Sequence, residues 1–473
     1  MGVSSDWAEI VSPRYLGATT TLCLGVALLS FNVFLAAVAI PSAVQDLGGV
    51  PLIAWATTLF LVFAIMGGTA AANLKARFGA RATLIGAALV FIAGSALATI
   101  AGSMPELLAG RALQGLGEGI VAAVCYALIP ELFPSRLVPK VFGAESVIWA
   151  LAAFGGPVLA GLLTETVSWR AAFAANLPMG AIFIALTLVV VPPRLETAAM
   201  PQKLPLVRLG LIGMAIVVIS IASLLTSPVL MGLCLVIAGA MLFAIVQRDA
   251  NAEVRLFPTA AFRLRDPVGA GLAVVLLMPV AQAGAAVYLV YMLQQLWDFG
   301  PLLAGFSGAL MSMCWSIVAV AIAGVKTHET KMRLIRTGPA LLVLGLVNLA
   351  VAVVIGQLWL VILAQILIGS GFGASWAYLS QTIMETARPG ERDTASALLP
   401  TIQSAGYGIG AAIAGLAANS AGLAVAQTAD AIRGAMIAVF VLCAVLSLLG
   451  LYAAFAMTRA VAKSEIDTRV ISG

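Results

Sequence analysis

Charge is what this sequence has least of. Lys and Arg number 25 and Asp and Glu 20 in 473 residues, so 10% of the chain is charged while 62% is hydrophobic. A soluble domain averages about 25% charged residues, and so few charges could not cover the exterior of a water-soluble fold of this length. The shortage points to an integral membrane protein whose outer surface is lipid-facing. The net charge of +5 follows the membrane rather than a nucleic-acid partner. Histidine is nearly missing: the single His328 sits in a charged loop, which excludes a histidine-based metal centre. The five cysteines, Cys23, Cys125, Cys234, Cys314 and Cys443, lie inside apolar runs, with no CxxC spacing and no disulfide framework. No cofactor and no metal are expected. A nucleophile–base arrangement, a phosphate loop and a separate catalytic domain are also lacking, so the chain does not read as an enzyme. The start lacks a basic n-region, so no cleavable signal is expected, and Asp6 stands where a myristoylation motif has Ser or Thr.

What the chain has instead is apolar runs of spanning length. A membrane helix needs about 20 such residues. Runs of that kind lie at 16–41, 53–72, 82–103, 106–130, 141–165, 171–191, 206–225, 228–246, 268–293, 302–325, 335–355, 358–382, 394–418 and 432–457. The prediction is an all-α membrane protein with fourteen transmembrane helices. With the N-terminus inside, all but three of the 25 Lys and Arg residues fall on the cytoplasmic face, as the positive-inside bias requires. Arg170 and Arg433 fall outside, and Arg111 lies within a span. An even number of spans places both termini in the cytoplasm. The longest loops, about 192–205 and 247–267, read as solvated connectors. An alternative for 253–266 is a short amphipathic helix along the inner leaflet.

The fourth span carries polar residues where lipid-soluble material is expected: LAGRALQGLGEGI over 108–120 contains Arg111, Gln114 and Glu118. With Gly115 they fall at i, i+3, i+4 and i+7, which places them on one helix face. A charge at mid-bilayer costs about 2.5–3.5 kcal/mol on insertion scales and so faces a cavity or a partner. Arg111 and Glu118 are separated by about 10 Å along the helix axis. That is too far to guarantee contact, with Gln114 or water able to bridge.

Several motifs give the chain a family resemblance. Arg111, Gln114, Gly115 and Gly117 reproduce RxxQGxG, and Gly156, Pro157 and Gly161 in FGGPVLAG match GxxxGPxxGG. WRAAFAANLPMG after the fifth span resembles WRxxFxxNxPxG, FNVFLAAVAIP resembles LDxTxxNVALP, and Trp55 with Thr58 resembles WxxT. On these residues the chain resembles the major facilitator superfamily, and within it the fourteen-spanner drug:proton antiporters. The resemblance covers residues 1–190 in motif detail; beyond them it rests on helix count and glycine placement.

The resemblance implies the major facilitator fold in a 6+2+6 arrangement: an N-terminal six-helix bundle over 1–192, two linking helices over 193–250, and a C-terminal six-helix bundle with a short cytoplasmic tail over 251–473. It implies a central cavity and alternating access by rocking of the halves. Gly156, Pro157 and Gly161, with Arg77, Gly79 and Arg81 of the loop after the second span, are the conformational motifs. Six positions depart from the pattern. Asn32 replaces the first-span aspartate, Phe60 a tyrosine, Ala72 and Ala76 the first glycine and the aspartate of the second loop, and Ala152 and Ala160 two glycines of GxxxGPxxGG.

The acid missing from the first span is supplied by the fourth, since Glu118 would sit on the same side of the cavity. Glu118 and Arg111 are therefore the expected proton-coupling pair, against a structural ion pair as the other reading. Glu145 is a second relay or, alternatively, a headgroup-level charge or partner of Arg136 or Lys140. Asn32, Gln114, Gln282, Trp376 and Gln403 are the expected substrate-binding residues, while Tyr288 and Tyr291 read as interfacial anchors or ligand contacts. The expected partners are a small-molecule substrate, protons and the lipid bilayer, with no nucleic acid, for a monomer in a bacterial inner membrane. The function read from these features is proton-coupled efflux of small organic or amphipathic compounds. The alternative is a proton-independent facilitator, or an exporter of a specific lipid, siderophore or metabolite.

Overall fold

The computed structural model describes residues 3–193, 206–252, 255–388 and 391–472. The described residues contain helices and turns and no strand. Apolar runs in lipid leave this as the natural solution, because a helix satisfies its own backbone N–H and C=O groups where no water can. The helices are α1 (Val3–Ile10), α2 (Leu16–Asp46), α3 (Ile53–Phe78), α4 (Ala80–Ile100), α5 (Met104–Leu132), α6 (Val138–Thr166), α7 (Trp169–Ala174) and α8 (Asn176–Val190). They continue with α9 (Leu206–Ala222), α10 (Pro228–Ala250), α11 (Pro267–Leu296), α12 (Pro301–Ile322), α13 (His328–Ile355), α14 (Leu358–Thr386), α15 (Arg392–Ser420) and α16 (Ala429–Ser472).

Helix lies over every predicted span. Among the described residues, twelve helices are long and apolar enough to cross a membrane; α9 and α15 are not among the twelve. The sixth span is broken at Ala175 into α7 and α8. Pro178 explains the break: it has no N–H to give the Ala174 carbonyl, and its ring crowds that carbonyl. The amphipathic-helix reading of 253–266 is corrected. The described part, 255–266, is a series of turns, closed by the Ala261 N–H on the Pro258 carbonyl at 2.9 Å and by Asp266, whose side chain caps α11 at the Val268 N–H, 3.0 Å away. Most of the 192–205 connector, with Arg194 and Lys203, lies outside the described residues.

The chain divides into two compact units, Met1–Leu209 with Phe299–Phe306, and Gly210–Asp298 with Ser307–Gly473. In the first, α2 packs on α6 and α8, α3 on α5, and α4 on α5 and α8. In the second, α11 packs on α15 and α16, and α13 on α14 and α16. The same order of neighbours thus recurs, with α11, α13, α14, α15 and α16 standing where α2, α4, α5, α6 and α8 stand. Both units reach close helix contact through glycine. A Cβ on Gly115 would lie 2.1 Å from the Phe60 carbonyl oxygen, and one on Gly369 would lie 2.1 Å from that of Met311. Small residues at such crossings let backbones approach, the main source of packing energy between helices in lipid.

The N-terminal helix α1 was not expected. It docks on the end of the first unit through Glu9, which takes two hydrogen bonds from Arg136 at 2.6 Å each. Trp7 lies against Gly143, where a Cβ would come within 2.8 Å of the ring. Ile10 is buried in the apolar core, and its carbonyl accepts from Thr19 Oγ1 at 2.7 Å.

Candidate functional site

The polar face of α5 is buried in the first unit. Arg111 is 2% exposed, Glu118 1% and Gln114 fully covered. Arg111 donates from Nη1 to Gln114 Oε1 at 2.7 Å and to Asn32 Oδ1 at 3.4 Å, and from Nε to the Ala56 carbonyl at 3.3 Å. Its guanidinium also stands 4.3 Å from the centre of the Phe60 ring. The family's tyrosine is lost at this position, but the aromatic face that an arginine stacks on is kept. Gln114 passes the network on, donating from Nε2 to Ser95 Oγ at 2.9 Å. Asn176 Nδ2 donates to Asn32 Oδ1 at 2.9 Å. Five helices, α2, α3, α4, α5 and α8, therefore hold one arginine. Such spread is what a desolvated guanidinium with five donors requires.

Glu118 behaves differently. It neighbours Asn32 and feels the charge of Arg111, yet neither carboxylate oxygen has a hydrogen-bond partner, and Asn32 Nδ2 also lacks one. The bridge through Gln114 stops short of Glu118: the amide bonds Arg111 and Ser95, and no bond reaches Glu118. A structural ion pair between Arg111 and Glu118 does not form.

One reading of Glu145 is corrected: both its oxygens lack a partner, so it pairs with neither Arg136 nor Lys140, and it is 2% exposed. Arg136 is engaged by Glu9, and the Lys140 ammonium lies 5.2 Å from the Trp7 ring centre. Glu145 instead neighbours Cys23 on α2 and Cys125 and Tyr126 on α5, with both oxygens unpartnered. Cys125 is seven residues beyond Glu118, about 10 Å further along α5.

The expected conformational residues sit at close contacts. A Cβ on Gly156 would lie 2.7 Å from Phe34 Cβ, and one on Gly161 2.4 Å from Leu302 Cα. Gly79 has φ +81°, a backbone that glycine adopts freely, and it turns the chain from α3 into α4. Arg77 stacks on Phe78 at 5.2 Å, and Arg81 begins α4. Lys75, an unforeseen member, forms an ion pair with Glu131 and so joins the end of α3 to the end of α5.

In the second unit Gln282 is buried. It donates to Met311 Sδ at 3.4 Å while its Oε1 has no partner. Trp376 is half-buried beside Trp315 and Phe372, and Gln403 is half-buried on α15. Tyr288 and Tyr291 are buried, which removes the interfacial-anchor reading for both.

Sequence reasoning missed Ser95 and Asn176 as partners. Asn176 lay inside a quoted motif, and its position at the start of α8 was the available signal. Ser95 gave none.

A helical bundle spanning the bilayer around a buried, multiply held arginine has the build of a membrane transporter. Comparison with known proteins agrees. Residues 22–329 match the Major Facilitator Superfamily. A "Probable multidrug-efflux transporter" of Mycobacterium tuberculosis is 32% identical over 433 residues, covering 88% of this chain and 90% of that one. "Multidrug resistance protein 3" of Bacillus subtilis is 25% identical over 417 residues, covering 83% and 78%. Among solved structures, the peptide transporter POT in complex with sulfate has a TM-score of 0.67 at 13% identity, covering 94% of this chain and 95% of that one. The D-xylose-proton symporter has a TM-score of 0.64 at 16% identity, covering 94% and 97%. The chain belongs to the major facilitator superfamily. It is an integral membrane transporter with multidrug-efflux relatives, and not an enzyme.

Proposed function

We propose that the chain exports small organic or amphipathic compounds in exchange for protons, by alternating access, as a fourteen-spanner monomer with both termini cytoplasmic in a bacterial plasma membrane. The observation that carries this reading is Glu118: a carboxyl group with no hydrogen-bond partner, two turns along the same helix face from a fully engaged arginine. A carboxylate buried unpaired is costly, whereas the neutral acid is not. Reopening to water on the other side of the membrane reverses that preference. Arg111 is kept in place by its own partners. Relatives with multidrug names support the substrate class. The paired ends Glu9–Arg136 and Lys75–Glu131 on one face, and Asp46–Arg170 on the other, agree with the charge-derived orientation. This reading takes α9 and α10 as the two linking spans. Glu145 is a second exchangeable carboxyl group, and within the second unit Gln282, Trp376 and Gln403 contact substrate.

The test is efflux in proteoliposomes with and without an imposed pH gradient. The wild type should concentrate substrate only with the gradient, and Glu118→Gln should lose that dependence. A second reading, transport without proton coupling, is favoured by Asn32, which cannot titrate. It wins if flux is independent of the gradient, or if Glu118→Gln couples as the wild type does.

A further inference from the structure

Beyond Asp249, whose carboxylate accepts from the Leu256 and Phe257 N–H groups at 2.8 and 3.0 Å, the buried polar side chains described in the second unit are all neutral. Four buried side chains described in this unit, Ser220, Gln282, Tyr288 and Gln365, have a polar atom with no partner, and two of the four are amides. Gln282 on α11 is 5% exposed and Gln365 on α14 is 2% exposed, yet Gln282 Oε1 and Gln365 Nε2 have no partner. One is an acceptor and the other a donor. Both belong to the surroundings of Met311 on α12. Gln282 touches the methionine sulfur, a weak acceptor, and α14 presses its Gly369 onto the Met311 backbone. Gln365 stands one turn before Gly369 on the same face of α14.

An aromatic cluster follows directly along the seam of α12 and α14. Trp315, one turn after Met311, is stacked on Phe372 with centroids 4.8 Å apart and planes 24° apart. Trp376 lies 6.2 Å from Trp315 and 6.3 Å from Phe372. Both indoles are only half-buried, so part of their ring surface is uncovered. Buried amide atoms are nearly always bonded in native proteins. An unmet acceptor and an unmet donor beside a partly open aromatic shelf describe a place where a ligand completes the bonding.

We propose that this strip of the second unit is a binding site for a planar aromatic compound bearing an uncharged group that both donates and accepts a hydrogen bond, such as a lactam or amide. Gln282 Oε1 takes the ligand's N–H, Gln365 Nε2 gives to its carbonyl, and Trp315 and Trp376 stack on its ring. The inference rests on the transport reading above and narrows its substrate class. A permanent charge is disfavoured at this site, because no buried group described in the strip carries the opposite sign and desolvating an ion is costly.

Acridone and N-methylacridinium test this with one tricyclic frame, the first uncharged with an N–H and a carbonyl, the second a fixed cation. Each is titrated into the purified full-length protein in detergent, with no gradient. Acridone should bind at least about 10-fold more tightly than N-methylacridinium, since a site built for hydrogen bonds rejects a ligand that cannot make them. Gln282→Leu, Gln365→Leu and Trp376→Ala should each weaken acridone about 10-fold or more, and Trp376→Phe should recover part of the loss in a variant that keeps the ring. Absent acridone binding, equal or tighter binding of the cation, or unchanged affinity in well-folded Gln282→Leu and Trp376→Ala proteins overturns the proposal. Because binding is read without a gradient, failure here leaves the Glu118 coupling intact. Conversely, a gradient-independent flux with the expected acridone preferences would remove proton coupling alone.

Discussion

The two units share an order of helix neighbours and differ in what they bury. The first encloses Arg111, Glu118 and Glu145; the described part of the second encloses amides, hydroxyls and aromatic rings, with Asp249 held by backbone N–H groups near its edge. The scaffold is thus set by small residues at helix crossings, which both units have, while the chemistry is set by the few polar side chains placed on that scaffold. One half buries charged side chains, and the other buries uncharged polar groups and aromatic rings. A duplicated framework can specialise in this way because packing in lipid depends on shape rather than on polarity.

If the close crossings are equivalent, the largest effect falls on both alike. Gly115→Val and Gly369→Val each push a side chain into a backbone oxygen 2.1 Å from the first added carbon. Each should cost about 3 kcal/mol, seen as a matching fall in thermal midpoint. A large loss in one unit only would show that the shared order of neighbours hides different packing.

Arginines should separate the units next. Arg111→Lys keeps the charge and loses the fork, leaving acceptors among Gln114, Asn32 and Ala56 unmet. A loss of about 1–3 kcal/mol is expected, together with impaired efflux. Arg336 in the second unit bonds Thr458 Oγ1 at 2.6 Å and lies 5.1 Å from the Phe455 ring, where a lysine can still reach the hydroxyl. Arg336→Lys should cost less than about 1 kcal/mol, and equal losses would weaken the contrast.

Charge swaps probe the same difference with a smaller effect on folding. Glu118→Gln removes no hydrogen bond, so the thermal midpoint should move by the equivalent of less than about 1 kcal/mol even as coupling is lost. Gln365→Glu adds a carboxyl group to the neutral unit and should lower the midpoint more as pH rises from 5 to 8. A pH-independent midpoint for Gln365→Glu would mean that water reaches the strip freely.

The smallest effect concerns α1. Hydrogen bonds from Arg136, aided by the charge of Arg14, hold the Glu9 carboxyl below its ordinary range. A group depressed in the folded state contributes stability above its unfolded pKa, about 4.3, and loses it as pH falls through the folded value. The emission of Trp7 should therefore stay constant from pH 8 to about 5 and shift only under stronger acid, a shift that Glu9→Gln abolishes. A shift near neutrality would place the control elsewhere.

How far the site could be read in advance depended on whether its parts lay on one helix. Arg111, Gln114 and Glu118 share a face by spacing alone, and their burial followed. That Gln114 would be consumed by Arg111 and Ser95, leaving Glu118 alone, required the approach of α4. The solitude of Glu145 was equally invisible, since it depends on Glu9 and Trp7 engaging Arg136 and Lys140 from a helix with no apolar run to announce it. The choice between anchor and ligand contact for the tyrosines of α11 stayed open because hydropathy reports distance from span ends, not which side a neighbouring helix covers.

Sequence by itself determined that the chain is helical and lives in lipid, roughly where along the chain the helices lie, and which span carries the polar face. Those properties follow from local composition and periodicity, since each helix satisfies its own backbone. Only tertiary structure decided which polar atoms are met and which are left open. That outcome depends on helices distant in sequence arriving at the same few ångströms, where one hydrogen bond more or less separates a structural residue from a reactive one.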